Sequence, residues 1–172
     1  VGFPNLRLLR GRGDGAFDPP VPMQEALFGN WLTIGDWNLD GELDLATVAE
    51  NWHKLTTFLG YGTETLQLSS EIPSRDASQV GTLDFSGDGL SDLVVGDAYF
   101  GLAFFRGGGD GTFDPLLNRV EMHPLGAGSI ATGDWDGDGF EDAAAGPGPW
   151  VGSGYTKLVL SREMGNQWLP QW

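Results

Sequence analysis

The chain contains no cysteine, so neither a disulfide framework nor a thiolate metal site is open to it. Basic residues are scarce: 9 lysines and arginines stand against 24 aspartates and glutamates, a formal net charge of −15. Such a surface repels phosphates, which argues against nucleic acid as a partner. No apolar run approaches the ~18 residues that a bilayer span needs. The opening Val1-Gly-Phe-Pro lacks the basic start and apolar stretch of a signal peptide, and the chain begins in the middle of a repeating pattern. Sequence signatures of common enzymes are missing as well, with no G-x-S-x-G elbow, H-E-x-x-H pair or phosphate loop. The two histidines, His53 and His123, fall at different phases of the repeat with no second histidine close by, which points to structural or surface roles.

Glycine, by contrast, is abundant at 28 residues, and aromatic side chains make up 12% of the chain. That composition suits many short strands joined by tight turns. One acidic stretch occurs three times. It reads Asp36-Trp-Asn38-Leu-Asp40-Gly41-Glu42-Leu-Asp44, then Asp84-Phe-Ser86-Gly-Asp88-Gly89-Leu90-Ser-Asp92, then Asp134-Trp-Asp136-Gly-Asp138-Gly139-Phe140-Glu-Asp142. Each fits D-x-[DNS]-x-D-G-x-x-D. Side-chain oxygens at positions 1, 3, 5 and 9, with the backbone carbonyl of position 7 (Glu42, Leu90, Phe140), can converge on a hard cation that takes about 6–8 oxygen ligands. Glycine at position 6 permits the sharp turn. These residues are therefore read as three Ca²⁺ sites.

An EF-hand would place a bidentate glutamate at position 12 and helices on both sides. Position 12 is Thr47, Val95 and Ala145, and short apolar runs follow each loop (Leu45–Val48, Leu93–Val95, Ala143–Ala145). These read as buried strands, so each loop joins two strands of a β-protein. The loops hold twelve of the 24 acidic residues, and three bound Ca²⁺ would bring −15 to −9. Folding is expected to depend on calcium, because unneutralised clusters repel one another.

The loops begin at 36, 84 and 134, a period of 48 to 50 residues that points to propeller blades or a solenoid. A second element repeats two periods apart: Leu6 to Pro19, with Arg10, Asp14, Gly15 and Phe17, returns as Leu102 to Pro115, with Arg106, Asp110, Gly111 and Phe113. Asp-Gly between apolar runs signals a hairpin. Each repeat then assembles as an inner strand, the acidic loop, two further strands, a hairpin and a fourth strand, which is the unit of a propeller blade. The expected fold is all-β, with full blades at 31–79, 80–127 and 128–172 and an outer half-blade at 1–24. Trp37, Phe85 and Trp135, at loop position 2, are expected to plug the core between blades. Trp150, Trp168 and Trp172 lie outside the loops and are read as packing residues, with exposed platforms for a sugar or partner as the alternative. Arg12-Gly13-Asp14 shares the register of Gly108-Gly109-Asp110, so it is read as the repeat's own turn and not as an adhesion motif.

The three loops and their continuations, Asp92-Leu-Val-Val-Gly96-Asp-Ala and Asp142-Ala-Ala-Ala-Gly146-Pro-Gly-Pro149, resemble the FG-GAP/VCBS repeat of integrin α-subunit head propellers and many secreted bacterial and fungal proteins. The resemblance implies a calcium-stabilised propeller, typically of seven blades, of which this chain carries about three and a half. Leu39 and Val48 depart from the pattern, which usually has glycine there, and Ser86 is a weaker ligand than Asp or Asn. The third loop is therefore ranked tightest and the second weakest.

The expected function is a non-catalytic, extracellular interaction module for a protein or glycan ligand. The missing blades are expected from a longer chain or from other copies. The rival readings are a lectin that binds sugars between blades and an accessory propeller of a carbohydrate-active enzyme.

Overall fold

The structure, a computed structural model, describes residues 7–23, 29–49, 53–62, 65–98, 101–121, 126–147 and 157–159. Every regular element among them is a strand. After a short hairpin, β1 (Arg7–Leu8) with β2 (Val21–Pro22), three antiparallel sheets follow in chain order. The first is β3 (Trp31–Gly35), β4 (Asp44–Ala49), β5 (Lys54–Gly60) and β6 (Leu66–Pro73), each pairing with the next. The second is β7 (Ala77–Leu83), β8 (Asp92–Asp97), β9 (Gly101–Gly107) and β10 (Phe113–Glu121), in the same meander. The third has β11 (Ser129–Gly133), β12 (Asp142–Gly146) and β13 (Lys157–Val159). The fourth strand expected near Gly165 lies outside the described residues, as do Trp150, Trp168, Trp172 and His123.

The first strand of the second sheet starts at Ala77, three residues before the Val80 at which the sequence pattern places it. Ala77 pairs with Asp97 across a bulge at Ser78, which throws the alternation out of phase and hides the strand's beginning.

The sheets stack face to face because each strand after an acidic loop has apolar side chains on both faces. In β8, Leu93 and Val95 join Trp37, Ala46, Val48 and Leu55 of the first sheet in one cluster. Val94, between them, turns the other way and joins Leu83, Phe85, Leu102, Phe104, Ala143 and Ala145 in a second cluster against the third sheet. A strand covered on both faces reads as a continuous apolar run, which is why Leu93-Val-Val95 shows no alternation. Each such side chain contributes about 1.5–3 kcal/mol on full burial. The three inner strands lie side by side. Thr33 and Thr82 approach through their hydroxyls at 3.2 Å, and Thr132 Oγ1 donates to the Thr82 carbonyl at 3.0 Å.

The hairpin at 7–22 turns through Gly13 and Gly15, both at positive φ, and Asp14 accepts the amide of Ala16. Arg12 donates to Asp18 at 2.6 Å. Arg12-Gly13-Asp14 thus forms the turn of this hairpin. His53 is exposed, and its Nδ1 accepts the amide of Asp76 at 3.3 Å.

Candidate metal centre

Each acidic loop leaves the inner strand of its sheet and returns as the second strand, and its own carboxylates fold it. Position 1 grips the turn: Asp36, Asp84 and Asp134 each accept the amide of the glycine at position 6, at 2.8–3.0 Å. The other oxygen accepts an earlier amide, from Asp40, Gly87 or Gly137. Position 5 then accepts the amide of position 7, from Glu42 to Asp40, Leu90 to Asp88 and Phe140 to Asp138, at 2.8–3.0 Å. These local bonds turn the backbone twice through the left-handed region, at position 4 (Leu39, Gly87, Gly137) and position 6 (Gly41, Gly89, Gly139). Leu39 holds φ at 59°, a conformation that its side chain resists.

Position 9 behaves differently from the rest. Asp44, Asp92 and Asp142 are fully buried. Asp44 accepts the amides of Trp37 and Gly60 at 2.7 and 2.9 Å, and Asp92 those of Ser86 and Gly107 at 3.1 and 2.8 Å. Asp142 accepts the amide of Trp135 at 3.0 Å. These carboxylates pin the loop to the sheet from below. Each oxygen that accepts one amide keeps a lone pair for a cation. Burial pushes the Asp92 carboxyl up to about 6; the two amides oppose this, and the charges of Asp88 and Asp84 add to it.

Gly60 and Gly107, at the ends of β5 and β9, are partners that the motif does not contain. Each donates its amide to the position-9 aspartate, and a Cβ on either would overlap a loop carbonyl, that of Leu43 or Ser91. Their signal in the sequence is a glycine 15 or 16 residues after the last aspartate of the loop.

The third loop brings its ligands together best. Oxygens of Asp134, Asp136 and Asp138 all lie within 4.8 Å of one another, and the three residues are exposed. An all-oxygen, multiply charged set of this kind suits a hard cation such as Ca²⁺. In the first loop Asn38 takes the middle place, and its amide nitrogen donates to Asp40 at 2.7 Å. The second loop carries its own cation: Arg106 donates to Asp88 at 2.7 Å. Burial works to raise the Asp88 carboxyl, but the Arg106 hydrogen bond and the Leu90 amide outweigh it and hold the group below its usual range. Ser86 Oγ, at position 3 of the same loop, is buried without a well-formed hydrogen bond.

Position 2 departs from expectation in one copy of three. Trp37 and Phe85 are buried between sheets, with Trp37 edge-on to Phe113 at 5.4 Å. Trp135 is 47% exposed, because no described residue stacks on the far face of the third sheet.

Residues 84–145 match the family model of the FG-GAP-like repeat. The match opens on the first aspartate of the second loop and closes on Ala145, taking in two of the three loops and the strands that follow them. No curated protein matches the chain.

Proposed function

We propose, from the FG-GAP-like repeat carried by residues 84–145, that this chain is a non-catalytic, calcium-stabilised extracellular interaction module built of propeller blades. The observation that carries the reading is the cluster of Asp134, Asp136 and Asp138, set on a loop whose fold recurs at Asp36 and Asp84. A site repeated in register serves the scaffold, whereas an active site departs from the repeat.

In this reading Asp134, Asp136, Asp138 and Asp142, with the carbonyl of Phe140, hold the tightest ion. Asp36, Asn38, Asp40, Asp44 and the Glu42 carbonyl hold a second. Asp84, Ser86, Asp88, Asp92 and the Leu90 carbonyl hold the weakest, since Arg106 already claims Asp88. The bound ion neutralises charge and stiffens the loop between two strands. With this charge and no glutamate at position 12, affinities of about 10⁻⁴–10⁻³ M are expected, which suits the millimolar calcium outside cells. Blade-connecting loops then present a surface to a protein or glycan ligand.

Isothermal calorimetry of Ca²⁺ binding tests the reading. Asp136→Asn is expected to weaken the tightest site at least tenfold, and chelation to lower the melting temperature. Loss of neither binding nor stability would overturn it.

A further inference from the structure

The two internal sheet contacts show which face of each sheet meets its neighbour. Counting back from each acidic loop, the residues four and two places before it are Val80 and Thr82 in β7, Ile130 and Thr132 in β11, and Leu32 and Ile34 in β3. Val80 packs into the cluster shared with the first sheet, and Thr82 meets Thr33. Ile130 packs on the cluster of the second sheet, and Thr132 meets Thr82. In both cases this face is the one turned toward the preceding sheet. Leu32 and Ile34 hold the same register and are 52% and 54% exposed, against 9% for Val80. Beside them on β4, Leu45 joins only Phe58 and Leu66, in a small cluster apart from the two between sheets.

The opposite face of each sheet meets the following one. It is built from loop position 2 and the residue ten places after the loop start: Trp37 and Ala46, then Phe85 and Val94, all buried. On the third sheet the corresponding residues are Trp135, which is 47% exposed, and Ala144, which is half-buried. The loops repeat the pattern: Gly87 lies under the ring of Phe140, whereas nothing stands within 4 Å of the equivalent place on Gly137.

One chain therefore carries both halves of an interface that it already makes twice internally, one half open at each end of the stack. We infer that the Leu32/Ile34 face of the first sheet docks on the Trp135/Ala144 face of the third sheet in a second copy of this chain. The contact is head to tail, so two copies can close on each other through two identical interfaces. Exposed apolar faces of this kind favour a partner, and the partner that fits is specified by the fit of β7 on the first sheet and of β11 on the second.

The test is the mass of the 172-residue chain by light scattering and sedimentation in millimolar calcium at physiological salt. Wild type is expected as a discrete closed oligomer, with two copies the simplest. Ile34→Asp spoils one half of the contact and Trp135→Asp the other, so each alone is expected to be monomeric. Mixed together, they retain one good pair of faces and are expected to form a heterodimer. Circular dichroism checks that both variants are folded. A folded wild-type monomer at all concentrations would overturn the inference and point instead to blades of a longer chain as the cover. So would an oligomer that both variants leave intact, or a mixture that fails to reassociate.

Discussion

The amide of Gly107 donates to Asp92 Oδ1 at 2.8 Å, and the missing side chain of that glycine is what lets β9 pass under the Ser91 carbonyl. The same pairing joins Gly60 to Asp44 in the sheet before it. A buried aspartate and a strand-ending glycine thus form one unit that fixes the acidic loop to its sheet. Gly107→Ala forces the loop and the strand apart and is expected to destabilise the fold by about 1–3 kcal/mol, the usual cost of overpacking. Chemical denaturation measures this; a loss below ~0.5 kcal/mol would refute the role.

Leu39 sits at φ 59° with its side chain 65% exposed, where the other two loops have glycine. The left-handed conformation costs a residue with a Cβ roughly 1–2 kcal/mol, while glycine adds ~0.5–1 kcal/mol of chain entropy to be lost. Leu39→Gly is therefore expected to stabilise the chain by about 0.5–1 kcal/mol, seen as a raised melting temperature.

Arg106 and a cation compete for Asp88. Removing the guanidinium in Arg106→Gln is expected to tighten calcium binding at the second loop by up to about fivefold, since an exposed ion pair is worth about 0.2–1 kcal/mol. Calorimetry of wild type and variant side by side reads the difference. Unchanged or weaker binding would show that Arg106 does not compete.

Asp92 gives the metal-free chain a definite pH response. Its folded carboxyl is raised to about 6 from an ordinary value of 3.8, so the native state holds a proton that the unfolded chain has lost. Stability from this group is complete below the unfolded value and disappears as pH rises through about 6, a change of about 3 kcal/mol at 1.36 kcal/mol per unit. In chelator, wild type is expected to lose melting temperature between about pH 4 and pH 7 relative to Asp92→Asn. Calcium is expected to abolish that difference by neutralising the carboxylate. Parallel curves for the two proteins in chelator would contradict the assignment.

The strand-loop-strand repeats were legible in the sequence because their causes are local. Aspartates at positions 1 and 5 fold the loop by bonding amides a few residues away, and glycine marks the positive-φ positions, so spacing alone reveals the turn. The apolar runs after each loop announce strands covered on both faces. Tertiary contacts decided the rest. Gly60 and Gly107 reach the loops from strands that follow 15 or 16 residues later, and Arg106 meets Asp88 only because β9 pairs with β8. Nothing in a linear motif separates Trp37 from Trp135. Burial is a property of the neighbouring sheet, and only stacking covers the first and leaves the second bare.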